Sequence, residues 1–98
     1  MKNLINKVIE WAWQKGILEN GTVEKQAYKT LEECGELILA IGQNNRPEIK
    51  DAIGDILVTL IIQAEMQNIT IEECLQSAYD VISKRSGTMI EGTFCKDE

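Results

Sequence analysis

The sequence has 98 residues, 44% hydrophobic and 27% charged, with a net charge of −6. This is the size of one domain, whose modest core favours association with copies of itself, and an acidic chain without a large basic cluster is not expected to bind nucleic acid. It has no histidine, which rules out imidazole bases, Ser-His and Cys-His pairs and the usual zinc and di-iron ligand sets, so any metal site is built from oxygen and suits magnesium, manganese or calcium.

Leu4, Ile5, Val8, Ile9, Ala12 and Trp13 recur at helical spacing and predict a first helix over about 3–15, with Trp13 in the core and Trp11 on another face. Gly16 ends it, and the segment through Asn20-Gly21 reads as a turn. A second helix starts at Thr22, an N-cap, and continues to about Ile41 on a stripe of Val23, Ala27, Leu31, Cys34, Ile38 and Ile41. Gly42 and Asn44-Asn45 stop it. Pro47 suits a first helical position and opens a third helix over about 47–67, ended by Asn68. From Ile56 to Ile62 this helix has only Thr59 as a polar residue, so it is expected to be buried on more than one side and to pack, with the second helix, against another subunit.

Thr70 and Glu73 form a capping-box pattern that opens a fourth helix over about 70–86, closed by Gly87 and apolar along Ile71, Cys74, Leu75, Ala78, Val81 and Ile82. The tail, 87–98, carries Met89, Ile90 and Phe94 and is expected to lie extended over the helices. The pattern predicts a single all-α domain over 1–98, a four-helix bundle that forms a dimer or tetramer. Cys34, Cys74 and Cys95 are odd in number and lack a C-x-x-C spacing, so they read as reduced thiols of a cytoplasmic protein. The N-terminus is too polar for a signal peptide, and the longest apolar run is too short to span a bilayer.

The acids are the informative feature. Glu32, Glu33 and Glu36 share one arc of the second helix, with Lys29 in its middle, and Glu48, Asp51 and Asp55 share a stripe of the third that becomes apolar at Val58 and Ile62. Carboxylates on otherwise apolar helices repel one another and resist desolvation unless a cation sits among them. The alternative is a solvated face, with Lys29 and Glu33 as an ordinary i, i+4 pair. If the two helices are antiparallel neighbours, the two arcs can face each other and supply four or more oxygens to one or two hard cations.

E-E-x-x-E, followed by G-D on an apolar helix, resembles the MazG-type all-α nucleotide pyrophosphohydrolases. The resemblance rests on Lys29, Leu31, Glu32, Glu33, Gly35, Glu36 and Leu37, then Ile53, Gly54, Asp55, Ile56 and Leu57; it covers roughly Ala27 to Arg85 and is similar to the small, phage-type members. The family pattern is E-x-x-E and then E-x-x-D. Glu33, Glu36 and Asp55 match it, but Ala52 stands where a Glu is expected, with Asp51 beside it and Glu48 one turn before as candidates to supply the missing oxygen. A second register, with Glu48 and Asp51 as E-x-x-D, loses the match to Gly54-Asp55.

The resemblance implies Mg²⁺-dependent hydrolysis of a nucleoside triphosphate to the monophosphate and pyrophosphate, with Mn²⁺ as a substitute ion. It implies metal ligation by Glu33, Glu36 and Asp55, with Asp51 in support, and proton acceptance from water by Glu32 or Glu33. Lys29, Lys84 and Arg85 are candidates for the phosphates; helix C-termini favour the last two without any ligand. Trp11, Trp13 and Tyr79 are candidates for stacking on the base, Trp11 before Trp13. The competing readings are a non-catalytic helical dimerisation module and a degenerate homologue that binds nucleotide without turnover.

Overall fold

The computed structural model describes residues 1–97 and contains α1 (Lys2–Gln14), α2 (Ile17–Asn20), α3 (Val23–Gly42), α4 (Arg46–Met66), α5 (Ile71–Ile82), β1 (Gly87–Ile90) and β2 (Thr93–Lys96). Residue 98 of the predicted tail lies outside the described residues.

Capping chemistry sets the helix starts. Thr22, Asn45 and Thr70 hold extended backbone and accept the N–H three residues on: Lys25 to Thr22 Oγ1 at 3.2 Å, Glu48 to Asn45 Oδ1 at 3.2 Å, Glu73 to Thr70 Oγ1 at 3.0 Å. The stops after α3 and α4 are Asn residues in the left-handed region, Asn44 at φ 52° and Asn68 at φ 60°. The next N–H groups, of Asn45 and Ile69, reach back to the carbonyls of Ala40 and Ala64 at 3.0 Å and satisfy two orphan acceptors.

Three expectations need correction. The segment after Gly16 is not a plain turn: Gly16 takes φ 74° and the chain makes one further helical turn, α2. The last helix ends at Ile82, not near Ser86. The tail is an antiparallel β-hairpin rather than an extended strap, with Met89 opposite Phe94 and Ile90 opposite Thr93. Its two-residue turn, Glu91-Gly92, has positive φ at both positions (48° and 82°), the backbone that suits strand twist.

α4 is the hub. α1, α2, α3 and α5 all pack against it, while α3 touches neither α1 nor α5 among the described residues. The apolar face of α4 is therefore covered on several sides within one chain: Ala52, Ile61, Ile62 and Ala64 are buried there, while Ile53, Leu57 and Leu60 remain exposed. α3 and α4 are antiparallel, because their partners run in opposite order. Gln63 Nε2 donates to Val23 O at 3.0 Å, Gln26 Nε2 to Thr59 O at 3.1 Å, and Thr30 Oγ1 to Thr59 Oγ1 at 2.9 Å.

This seam overturns the predicted stripe of α3. The face turned to α4 is Gln26, Thr30, Glu33, Leu37 and Ala40, whereas Leu31 and Ile38 stand about 70% exposed. On α1, Ile5 and Ala12 are buried; Trp13 is 55% exposed because it falls outside that arc, which corrects its placement in the core. Of the buried apolar residues, Ile5, Ile61 and Ile62 are large and Ala12, Ala40, Ala52 and Ala64 are small. A core so poor in bulk leaves most of the large apolar side chains of α3 and α5 facing outward.

Candidate metal centre

The glutamine–threonine seam determines what lies opposite what. With Gln26 and Thr30 held against Thr59, the next inward position of α3 is Glu33, one turn on, and the next of α4 toward its N-terminus is Asp55. One carboxylate oxygen each from Glu33, Glu36 and Asp55 lies within 4.8 Å of the others. Two antiparallel helices thus bring together three of the four acids expected to bind metal.

Burial is unequal among the three. Glu36 and Asp55 are exposed and Glu33 is half-buried, with Oε2 sealed from solvent and accepting no hydrogen bond. The sequence placed Asp51 and Asp55 on a stripe that becomes apolar; in the structure both are exposed, and Glu33 is the acid with a sealed oxygen, because α3 turns it into the seam. Desolvation raises the Glu33 pKa above 4.5, the contact with Glu36 and the charges of Glu36 and Asp55 raise it further, and the charge of Lys29 opposes them. A buried carboxylate oxygen without a donor, beside two more carboxylates, has unmet need for positive charge.

Mg²⁺ fits this donor set. At bond lengths of about 2.0–2.1 Å an octahedral ion holds its oxygens roughly 3 to 4 Å apart, within small side-chain adjustments of the observed group, and it keeps waters at the remaining positions. All donors are hard oxygens, which favours Mg²⁺ or Mn²⁺ over softer metals.

The other predicted site residues stand around this group. Lys29 Nζ pairs with Glu32 Oε1 at 3.3 Å and not with Glu33, so the expected i, i+4 pair is an i, i+3 pair; both side chains are over half exposed. Glu32 is consequently outside the three-oxygen group. Asp51 and Glu48 are exposed on α4 and also outside it, and Ala52 is buried one turn before Asp55. Lys84 and Arg85 follow the end of α5, exposed and without an ion pair among the described residues. Trp11 is exposed on α1, as is Tyr79 on α5. Gln26, Thr30 and Gln63 escaped the sequence reading, and Thr59 was noted there only as a polar break in an apolar run. Their signal was polar residues four apart on two otherwise apolar faces.

Fold and site together define an all-α domain with a carboxylate centre between antiparallel helices. The family model of the MazG nucleotide pyrophosphohydrolase domain matches residues 22–90, and the chain belongs to that family. A Haemophilus phage HP1 (strain HP1c1) protein described as an uncharacterized 18.2 kDa protein in the rep-hol intergenic region is 36% identical over 69 residues, 70% of this chain and 42% of its own. The chain thus spans less than half the length of that relative. No solved structure matches. No helix among the described residues is long and apolar enough to cross a membrane.

Proposed function

We propose that this protein is a Mg²⁺-dependent nucleoside triphosphate pyrophosphohydrolase that converts a ribo- or deoxyribonucleotide to the monophosphate and pyrophosphate. The observation that carries the reading is the donor-less Glu33 oxygen facing Glu36 and Asp55. Bound there, Mg²⁺ or Mn²⁺ would neutralise phosphate charge and polarise the phosphoryl group under attack.

In this reading Glu33, Glu36 and Asp55 would hold the ion, with Asp51 in support. Glu32, next to the group yet outside it, accepts the proton of the attacking water, with Glu33 as the other candidate. Lys29 then turns from Glu32 toward the phosphates, and Lys84 and Arg85 supply further positive charge. Trp11 stacks on the base. The reaction takes place in the cytoplasm on free nucleotides, with no role for nucleic acid or membrane. The chain works as a homodimer or homotetramer, because the outward Leu31, Ile38 and Ile41 of α3 call for a covering surface.

The test is a panel of ribo- and deoxyribonucleoside triphosphates assayed with Mg²⁺ for pyrophosphate release, alongside thermal shifts. Turnover of one or more supports the proposal. Binding without turnover assigns the chain to a degenerate homologue, a reading favoured by Ala52 in place of an acid; neither binding nor turnover assigns it to a dimerisation module.

A further inference from the structure

The face of α3 that meets α4 is its polar one. Gln26 and Thr59 are 9% and 5% exposed and Thr30 is half-buried beside them, whereas Leu31 and Ile38, on the far side of α3, stand about 70% exposed. Transfer of apolar surface from water would by itself turn α3 the other way, with Leu31 and Ile38 against α4. At about 100° per residue that is a rotation of roughly half a turn, and it would carry Glu33 out to solvent.

Directional bonds hold the observed rotation instead. Thr30 Oγ1 donates to Thr59 Oγ1 at 2.9 Å, and the Thr59 hydroxyl donates in turn to the Ile56 carbonyl at 2.7 Å. Gln26 Nε2 donates to the Thr59 carbonyl at 3.1 Å. The hydroxyl pair ties the turn of α3 just before Glu33 to the turn of α4 just after Asp55. On the other side of the acids, the connection 43–45 joins the two helices. Glu33, Glu36 and Asp55 lie between these ties, where their like charges push the helices apart.

We propose that Thr30, Thr59 and Gln26 are positioning residues of the metal centre: their bonds across the α3–α4 seam fix the rotation of α3 that turns Glu33 toward Asp55 before any cation is present. Apolar side chains in their place would pack without direction, and α3 would then have two apolar faces to offer α4. The polar seam therefore lowers the hydrophobicity of the core and leaves one orientation of the acids. The inference rests on the metal-binding part of the proposed function and not on nucleotide hydrolysis.

The test compares binding of Mn²⁺ alone, read from the electron paramagnetic resonance signal of the free ion, with thermal unfolding in EDTA. The variants are Thr30→Val, Thr30→Ser and the triple Gln26→Leu/Thr30→Val/Thr59→Val. Thr30→Val should weaken Mn²⁺ binding about tenfold or more, as expected when a group that orients a metal ligand is lost, and Thr30→Ser, which keeps the hydroxyl, should bind as the wild type does. The triple variant removes donors and acceptors together, so its Tm in EDTA should match or exceed that of the wild type while its Mn²⁺ affinity falls about tenfold or more. Affinity lost only in step with Tm would mark a purely structural role and overturn the proposal. Unchanged Mn²⁺ binding in Thr30→Val and the triple, or equal binding by Thr30→Val and Thr30→Ser, would also overturn it and leave the metal site standing. A wild-type chain that binds no Mn²⁺ overturns both. If the triple variant does not fold, the two Thr30 variants decide, since each differs from threonine by a single group.

Discussion

Asp55→Asn separates a metal site from a solvated acidic face, because it should move stability in opposite directions with and without magnesium. In the metal-free protein Asp55 faces two like charges, with oxygens within 4.8 Å. At that distance a pair of unit charges repels by about 0.9 kcal/mol in water and about 3.5 kcal/mol at an effective dielectric constant of about 20. Glu36 and Asp55 are exposed, so the value sits near the lower end, about 1 kcal/mol for each of two pairs. Removing the charge should raise metal-free stability by about 1–2 kcal/mol, or roughly 4–15 °C in Tm for a domain of this size. With Mg²⁺ the order reverses. The wild-type chain gains RT ln(1 + [Mg²⁺]/Kd), and the variant, short of one charged ligand, forfeits most of that gain. The assay is thermal unfolding followed by circular dichroism in EDTA and across a Mg²⁺ titration, with the helical signal as the control for fold. A variant less stable than wild type in EDTA, or one that keeps the full Mg²⁺-dependent shift, would refute the convergence of these carboxylates on a cation. Pyrophosphate release, if present, should vanish in the same variant.

Other outcomes follow from the same geometry. Because the folded pKa of Glu33 lies above its ordinary 4.5, the native state keeps that proton longer. Its contribution to metal-free stability is present below about pH 4.5 and is lost as pH rises through the folded value, while the Mg²⁺-induced Tm shift grows over the same window; Tm against pH with and without Mg²⁺ checks both signs. Thr59→Val removes the hydroxyl that links Thr30 Oγ1, at 2.9 Å, to the Ile56 carbonyl, at 2.7 Å. A loss of about 1 kcal/mol in urea unfolding is expected, together with weaker Mg²⁺ binding as the α3–α4 register loosens; unchanged Mg²⁺ affinity would uncouple seam from site. Lys84→Ala should raise KM by about tenfold with little effect on Tm, the signature of a lost charge-assisted phosphate contact, and unaltered kinetics remove Lys84 from the site. Gly87→Ala should disorder the hairpin and leave the helical signal intact, because the new Cβ meets Phe94 and the Cys95 carbonyl; proteolysis confined to the tail reports it.

The ends of α3 and α4 and the start of α5 were legible in the residue order because caps are local. A threonine or asparagine side chain reaches an N–H three residues away, and an asparagine tolerates the left-handed turn that stops a helix, whatever the rest of the chain does. The acids were legible for a related reason: spacings of three, four and seven place Glu33 with Glu36, and Asp51 with Asp55, before any packing is known. The hairpin was not legible, since Glu91-Gly92 lacks the asparagine or aspartate that usually marks such a turn and Gly87 reads as a helix stop. The predicted stripe of α3 failed because hydrophobicity tells which side chains prefer to leave water, not which neighbour is present to receive them. Leu31 and Ile38 had the preference; Gln26 and Thr30 had the hydrogen-bond partners on α4.

The chain by itself therefore determined a helical domain, its main caps and an oxygen-only ligand inventory, all of them consequences of short-range stereochemistry and residue type. Only the tertiary structure decided that α3 runs against α4 in the register of the Gln26–Thr59 contact, that Glu33 rather than Asp55 loses its water, and that Asp51 stands apart from the other three acids. Those outcomes depend on which surfaces meet, and residues 29 or more positions apart in the chain meet only when the helices dock.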